Sequence, residues 1–198
     1  MRIRIDEAFE LQMGKTPSRN NPLFWGGENK WISISDMGNI DKYINATKEC
    51  ITDMGVKSSG IKQVPKDTLL MSFKLSIGKT AITSENMYTN EAIMAFIDKR
   101  KIKINIEYIY YLFKGIDWNI SGNKAVMGIT LNKKFLSEKE IEIPTIEKQD
   151  YVVKVLDKIN KLIALQKEQL KKLDKLVKSM FHAQSKKLFS FSLEVIRL

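Results

Sequence analysis

Residues 145–181 read TIEKQDYVVKVLDKINKLIALQKEQLKKLDKLVKSMF and contain neither glycine nor proline. The character of the chain changes just before them, at Pro144, which cannot continue a preceding helix or strand ladder. Thr145 is suited to cap a helix, and Glu147 lies in its first turn, where the helix dipole favours a carboxylate. We therefore predict one long α-helix over residues 145–181.

The apolar residues of this helix form a narrow seam whose spacing alternates between three and four residues. Its members are Val152, Leu156, Ile159, Ile163, Gln166, Leu170, Leu173, Val177 and Met180. This is a heptad pattern, and it predicts pairing with another helix, with Gln166 as a polar residue that fixes the register. The alternative is a helix that packs on a globular core. That arrangement usually shows a wider apolar stripe, whereas the flanks here are mostly Lys, Glu, Asp and Gln.

The chain before the helix has mixed structure. Short alternating or apolar runs bounded by Gly, Asn, Ser and Pro predict strands, and the spacing of apolar residues over 106–115 predicts a helix. The strand-like runs are residues 1–5, 31–35, 69–73, 79–83, 126–132 and 140–144. Residues 1–144 are therefore predicted to form one α/β (α+β) domain. Residues 182–198 form a tail in which 189–195 alternate, as in a strand or an exposed apolar segment.

Charge favours an acidic partner. The formal net charge of the 198-residue chain is +10, which suits nucleic acid, an anionic membrane surface or an acidic protein. Residues 149–198 carry +6 and residues 1–148 carry +4, so the helix is the more basic part. A lysine-rich helix that simply faces solvent explains this equally well.

Signatures of catalysis are missing from the sequence. It has no glycine-rich phosphate loop, one cysteine (Cys50) and one histidine (His182), so neither a metal site nor a conventional catalytic triad is predicted. A single cysteine also excludes an internal disulfide and favours the cytoplasm. No run approaches the roughly 20 apolar residues of a membrane span. We expect no enzyme activity, no cofactor, no metal and no membrane partner.

Two polar clusters are candidates for contacts to DNA. Donor groups on turns hold phosphates or base edges, and glycine lets a loop approach a polyanion closely. An ordinary polar turn is the alternative for each cluster. The first cluster comprises Lys15, Thr16, Ser18, Arg19, Asn20 and Asn21, and the second contains Ser72, Lys74 and Lys79.

Three blocks of sequence, in this order, resemble one family. GKTPSRNNPLFWGGENKWISISDM (14–37) resembles the opening motif of target recognition domains in type I restriction-modification specificity subunits. VPKDTLLMSFKLSIGKTAIT (64–83) is similar to their next shared block. Residues 143–181 resemble the helix that follows each recognition domain.

The resemblance implies a non-catalytic reader of double-stranded DNA that guides methyltransferase subunits, and through them restriction subunits. A usual member has two recognition domains and two helices that pair antiparallel, whereas this sequence resembles half of one. It implies a recognition domain over 1–144, a coiled-coil helix over 145–181 and an atypical tail over 182–198. A homodimer through an antiparallel helix pair would restore the shape of the full subunit and read a bipartite palindromic site.

The resemblance also divides roles among residues. Trp25, Trp31 and the Gly26–Gly27 turn recur in readers of different sequences, so we interpret them as scaffold, and residues 15–21 as positioning contacts to phosphate. The base readers are expected in 72–79 and in 118–124, including Lys124. The dimer interface is expected at Leu156, Ile159, Ile163, Gln166, Leu170, Leu173, Val177 and Met180.

Two other interpretations stay open. In the first, the chain is an interaction protein that pairs with, or inhibits, a full-length specificity subunit. Alternatively, it is the separated recognition part of a fused restriction-methylation enzyme.

Overall fold

The computed structural model describes residues 1–38, 40–74, 76–118 and 131–195, and side chains as far as residue 182. The chain divides into two units, Met1–Val153 and Lys154–Leu198, which are described separately. The second unit consists of the later part of the long helix.

Short strands and five helices follow one another along the described chain. The strands are β1 (Arg2–Arg4), β2 (Phe9–Met13), β3 (Trp25–Ile32), β4 (Tyr43–Ile44), β5 (Glu49–Ile51), β6 (Leu69–Ser72), β7 (Thr80–Thr83), β8 (Tyr88–Thr89), β9 (Ile93–Asp98) and β10 (Glu140–Glu142). The helices are α1 (Ile5–Ala8), α2 (Asp53–Ser59), α3 (Ile106–Gly115), α4 (Lys133–Glu138) and α5 (Ile146–Val195). The predicted class, a mixed α/β domain followed by a long helix, is confirmed.

Three sheets organise the first unit. The largest has the strand order β2-β9-β6-β7-β4, antiparallel except for the parallel pair β7 and β4. A second sheet has the order β5-β3-β8, and β1 pairs with β10. The pairing of β1 with β10 joins the start of the chain to the segment just before α5.

The inner strands β6 and β9 of the five-stranded sheet are covered on both faces, which explains why they are continuous apolar runs, whereas the edge strand β2 alternates between buried and exposed residues. Leu69, Met71 and Phe96 point into a core shared with α3, whereas Leu70 and Ala95 point into a second core on the opposite face. A third, smaller cluster lies around Trp31.

The helix α3 has the predicted bounds. The Asn105 side chain caps it by accepting hydrogen bonds from the backbone N–H groups of Glu107 and Tyr108. Ile109 and Phe113, one turn apart, are completely buried against the sheet. The strand predicted over 126–132 falls almost wholly outside the described residues.

The helix α5 begins one residue after its predicted start but continues well beyond Phe181, as far as Val195. The strand pattern in 189–195 is therefore a wrong prediction of secondary structure. A lone strand needs a neighbour for its backbone hydrogen bonds, whereas a helix satisfies them internally. No glycine or proline stops the helix before residue 195.

Gln149, in the first turns of α5, is a buried polar residue that joins three backbone segments. Its side-chain oxygen accepts a hydrogen bond from Asn105 N–H at 2.8 Å. Its amide group donates to the carbonyl oxygens of Pro144 at 3.0 Å and Lys103 at 3.2 Å. The side chain is fully buried, so water cannot replace these partners.

Replacing Gln149 with leucine is expected to lower the free energy of unfolding by about 3 kcal/mol, because buried backbone groups lose their partners. Lys148→Leu, at the exposed neighbouring position, is the control and should change it by less than about 0.5 kcal/mol. Urea unfolding followed by circular dichroism measures both. Equal stability of the two variants would contradict this role of Gln149.

Candidate nucleic-acid interface

The register of the five-stranded sheet aligns the ends of several strands in one row. Met13 and Met71 both pair with Met94, and Met71 also pairs with Thr80. The segments that leave or enter this row are 14–21 after β2, 73–79 between β6 and β7, and 90–92 before β9. We call these three segments, without residue 75, the loop edge.

The loop edge has the dimensions of a short stretch of duplex. From β2 to β7 there are three strand-to-strand steps of about 4.8 Å, or roughly 14 Å in all. At about 3.4 Å per base pair this distance corresponds to roughly four base pairs. Both clusters predicted from sequence, 15–21 and 72–79, therefore lie at one edge of one sheet and within reach of one site.

The donors of the first cluster are largely used inside the protein. The Lys15 ammonium donates to the carbonyl oxygen of Ser59, at the end of α2, at 3.2 Å. The Thr16 hydroxyl donates to the Glu91 carboxylate. The Asn21 side chain accepts a hydrogen bond from Leu23 N–H and so caps a single 3₁₀ turn. These contacts fix the turn in place.

Both tryptophans of the opening motif hold the same turn. The Trp31 indole N–H donates to the Lys15 carbonyl at 3.0 Å, and the Trp25 indole N–H donates to the Ser18 carbonyl at 3.1 Å. Their rings meet edge to face with centroids 5.1 Å apart, a favourable aromatic geometry. The two indole rings therefore brace the backbone of the turn.

Arg19 completes this cluster. Its guanidinium forms two hydrogen bonds to the Glu49 carboxylate and lies 3.7 Å from the centroid of the Trp25 ring. The hydrogen bond from Arg19 holds the pKa of Glu49 below its usual range, and Glu49 in turn raises the pKa of Arg19. The Glu49 carboxylate therefore already occupies the guanidinium donors of Arg19, in the same two-bond geometry that a phosphate would require.

Ser18 and Asn20 differ from their neighbours, since both side chains are exposed at the tip of the turn. They are the members of the first cluster that face solvent without a hydrogen bond described for their side chains.

The second cluster is a compact loop built around Ser72. The Ser72 side chain is fully buried, and its hydroxyl donates to the Ser76 carbonyl at 2.6 Å and accepts from Lys79 N–H at 3.1 Å. The hydroxyl therefore holds the loop closed and presents no surface to a ligand. Positive φ angles at Ser76 and Gly78 complete the tight turn.

Lys74 and Lys79 are the accessible cations of this loop. Both are half-buried, and neither has an ion-pair partner among the residues that the structure describes. The Lys74 ammonium lies 5.4 Å from the centroid of the Phe73 ring. Lys79 lies beside Gly38, in the segment that leads into β4.

Trp118 brings the start of another predicted reading segment to this loop. A β-carbon at residue 78 would lie 3.2 Å from the Trp118 ring, so glycine allows the close approach. The indole N–H donates to the Phe113 carbonyl at 2.9 Å, which fixes the ring at the end of α3. Lys124 lies outside the described residues.

Sequence reasoning missed two features of this region. The Lys139 ammonium lies 5.4 Å from the centroid of the Trp118 ring, although 21 residues separate the two in sequence. Tyr43 donates to the Glu107 carboxylate at 2.8 Å, and burial together with that hydrogen bond raises its pKa to about 12. No local sequence pattern could signal either contact, because each joins distant segments.

In the part of the chain that the structure describes, no group of three His, Cys, Asp or Glu side chains is placed to hold a metal ion. None of the described helices combines the length and the apolar character that a membrane crossing requires.

In the second unit, the seam of α5 is open to solvent. The exposed fractions of Ile159 and Ile163 are 44% and 42%, and that of Leu170 is 65%. Leu173, Val177 and Met180 are exposed to a similar degree, and Gln166 is exposed too. Leu156, near the start, is half-buried. An exposed apolar row of this length is typical of a surface that packs against another protein segment.

Comparisons with known proteins agree on one family. The family described as "Type I restriction modification DNA specificity domain" matches residues 1–175. The MjaIX specificity subunit of Methanocaldococcus jannaschii is 32% identical over 184 residues, covering 90% of this chain and 42% of that protein. The EcoR124I/EcoR124II specificity subunit of Escherichia coli is 27% identical, covering 90% of this chain and 45% of that protein. The chain thus spans less than half the length of these curated relatives.

Solved structures share the fold. A chain from a structural study of complex assembly and conformational transition in the type I R-M system superposes with a TM-score of 0.66 at 20% identity, over 85% of this chain and 40% of that one. The HsdS subunit of Thermoanaerobacter tengcongensis superposes with a TM-score of 0.63 at 19% identity, over 85% of this chain and 39% of that one.

The contacts of Arg19 with Glu49 and Trp25 lead us to expect a pH-dependent contribution to stability. Arg19→Ala is expected to lower the free energy of unfolding at neutral pH by about 1 kcal/mol, through the lost stack on Trp25 and the lost ion pair. The pKa of Glu49 is lowered in the folded state, so its contribution is present above the ordinary value of 4.5 and is lost as the pH falls through the folded value. The difference between wild type and variant should therefore shrink below about pH 4.5.

Arg4→Ala is the matched control, because Arg4 forms a similar exposed pair with Asp6 but has no ring contact described. Its effect on stability should be clearly smaller than that of Arg19→Ala, because an exposed ion pair contributes little. Urea unfolding at a series of pH values measures both variants. Unchanged stability of Arg19→Ala, with DNA binding weakened equally on all sequences, would instead support the phosphate contact predicted from sequence.

Proposed function

The chain belongs to the family of type I restriction-modification DNA specificity domains, and from this premise we propose that it reads the DNA sequence for a type I restriction-modification system. The observation that carries the proposal is the loop edge, where three segments leave one row of a rigid sheet. Reading loops on a fixed scaffold are the usual arrangement for sequence recognition. The described residues offer surface cations and polar side chains there.

Within the loop edge we propose different tasks for the residues predicted from sequence. Lys74 and Lys79 are proposed to contact DNA, together with Ser18 and Asn20 at the tip of the first turn and Lys124 further along the chain. Lys15, Thr16 and Arg19 are proposed to position the turn, because their donors are engaged by Ser59, Glu91 and Glu49. Ser72 is proposed to shape its loop.

The proposed role is recognition without catalysis. Methyltransferase and restriction subunits of the same system would carry the chemistry, and this chain would direct them to the site in the cytoplasm. The relatives named above are specificity subunits of type I restriction enzymes, which supports this division of tasks.

We also propose that the chain acts as a homodimer. A second copy is a suitable cover for the exposed seam of α5, and two copies related by a two-fold axis would present the same reader in opposite senses. Such a dimer would read a bipartite palindromic site. The same exposed seam favours a second candidate, pairing with a different specificity chain, in which case the two halves of the site would differ.

The dimer is tested by placing a charge in the seam. Leu170→Glu or Leu173→Glu is expected to convert the dimer to monomer, because an unpaired carboxylate is costly to bury. The control is Lys171→Glu, which lies away from the seam and should remain dimeric. Sedimentation distinguishes the 22.8 kDa chain from a particle of twice that mass. A wild-type monomer at micromolar concentration would exclude the homodimer.

DNA binding is tested through its dependence on salt. The logarithm of the binding constant for duplex DNA should fall linearly with the logarithm of the salt concentration. Each lost phosphate contact should flatten this slope by about one unit. We expect this result for Lys74→Ala. If Lys79 contacts a base edge, Lys79→Ala should instead lower the discrimination against the wrong base by about 1–3 kcal/mol, at one symmetric pair of positions in the DNA site.

Lys101→Ala is the matched control. Lys101 is exposed and follows the far end of β9, at the edge of the sheet opposite the loop edge. The slope of the salt dependence should be the same for Lys101→Ala as for the wild type. A wild-type protein that binds no duplex at low salt, or a Lys101→Ala effect equal to that of Lys74→Ala, would contradict the proposed surface.

A further inference from the structure

A groove opens in the first unit where the segment between β9 and α3 meets the first turn of α5. Its volume is about 510 Å³, and it is lined by residues 98, 100–104 and 146. It follows the last residue of β9 and therefore lies at the edge of the sheet opposite the loop edge. We call it the basic groove.

The backbone that forms the basic groove is held at both ends. At one end, the Lys99 N–H donates to the Ala8 carbonyl at 2.9 Å. At the other end, the buried Gln149 side chain donates to the Lys103 carbonyl at 3.2 Å and accepts a hydrogen bond from the Asn105 N–H at 2.8 Å. A ligand of this groove would therefore need little ordering of the chain, which favours binding.

Arg100 has an unusual backbone conformation in this segment. Its φ angle is +56°, in the left-handed region that residues with a side chain rarely adopt. The Asp98 carboxylate accepts a hydrogen bond from the Arg100 N–H at 2.7 Å and so stabilises the turn. Backbone strain of this kind is concentrated at functional sites, and here it accompanies an arginine that lines the groove.

The exposed lining of the basic groove is cationic. Arg100, Lys101 and Lys103 are exposed, and none of them forms an ion pair with another residue in the described ranges of the chain. Lys99 differs from them, because its ammonium donates to the Asp6 carbonyl at 2.6 Å. Three positive charges therefore face solvent at this groove.

The acidic residues near these cations are engaged elsewhere. Asp98 accepts the hydrogen bond from the Arg100 backbone. The Glu147 carboxylate is held by its own backbone N–H and by the Thr145 hydroxyl, and these hydrogen bonds, with a smaller effect of Lys103, lower its pKa. The groove thus keeps a net positive charge.

The less exposed lining is aliphatic. Ile102, Ile104 and Ile146 are all half-buried, and the first two pack at the border of the core shared with α3. A ligand that used the whole groove would therefore combine negative charge with an aliphatic group.

Duplex DNA at the loop edge does not meet this requirement. Because β9 is six residues long, the basic groove lies roughly 17 Å from the loop edge at about 3.4 Å per residue. A duplex also presents phosphates and polar base edges, with the thymine methyl as the apolar group of its major groove. Three isoleucines would find little to contact there.

On these grounds we propose that the basic groove binds a segment of a partner protein in which carboxylates lie beside aliphatic side chains. The carboxylates would pair with Arg100, Lys101 and Lys103, and the aliphatic groups would cover the isoleucines. Charge complementarity of this kind selects the partner and accelerates association. The proposal does not depend on the proposed function, since it concerns the opposite edge of the sheet.

A synthetic peptide tests the chemistry of the groove. The probe is a labelled, end-capped peptide of sequence Glu-Leu-Glu-Glu-Leu-Glu, and fluorescence anisotropy measures its binding to the full chain at low salt. One control peptide has glutamine in place of each glutamate, and the other has serine in place of each leucine. We expect the probe to bind with a Kd below about 1 mM and both controls to bind at least about tenfold more weakly.

A triple substitution locates the binding. In the groove variant, Arg100→Gln, Lys101→Gln and Lys103→Gln are combined, and affinity for the probe should fall at least about tenfold. Circular dichroism verifies that the variant is folded. As an independent measurement on the wild type, a carbodiimide joins peptide carboxylates to adjacent lysines, and mass spectrometry should find the peptide on Lys101 or Lys103.

The control variant removes the same charge elsewhere. Lys62→Gln, Lys66→Gln and Lys133→Gln affect exposed lysines outside the groove and lower the net charge equally, so affinity for the probe should stay within about twofold of the wild type. The salt slope of duplex DNA binding should be the same for the two triple variants.

Four results would overturn the proposal. They are a wild type that does not bind the probe, equal affinity of the two triple variants for it, and cross-links spread over lysines of the whole surface. The fourth is a salt slope for DNA that is flatter by about three units in the groove variant than in the control variant, because the groove would then be a further contact to phosphate.

Discussion

The register of β9 between β2 and β6 is the constraint on which the rest of the first unit depends. Along β9, Met94 and Phe96 point into one core and Ile93 and Ala95 into the other. A slip of one residue would exchange these faces and place each side chain in the wrong core. The same pairing sets the position along β9 at which β2 and β6 end, so the packing of the core also decides where the loops emerge.

The second constraint is that the opening turn is held from several directions. Two indole N–H groups bind its backbone, and contacts to Glu49, Glu91 and Ser59 hold its side chains. A turn fixed in this way is a firm support for the loops beside it. The turn and the loop after β6 are therefore neighbouring parts of one edge that differ in how many of their polar side chains are used inside the protein.

Much of the architecture could be predicted from sequence where the signal is local. The spacing over 106–115 and the long interval without glycine or proline both produced helices, and four of the short apolar or alternating runs correspond to strands. The continuation of α5 to Val195 was missed because alternation in 189–195 suits a strand, yet no strand pairs with it in the described part of the chain. The partners of Lys15, Thr16 and Arg19 were not predictable, because they lie 44, 75 and 30 residues away. Polar residues on a turn give no local sign of whether their donors serve the protein or a ligand.

The loop after β6 is closed at its base by its own backbone. Ser72 N–H donates to the Lys79 carbonyl, and Gly78 N–H donates to the Ser72 carbonyl, so the segment begins and ends on the same short ladder. Phe73 and Ile77 anchor the loop in the core shared with α3, whereas Ser76 at its tip is exposed. Substitutions at exposed positions of such a loop are tolerated best, provided that the closing pair and the small residue facing Trp118 are kept. Under the proposed function, this closure would let the exposed residues of the loop change their contacts to DNA while the sheet beneath them stays as it is.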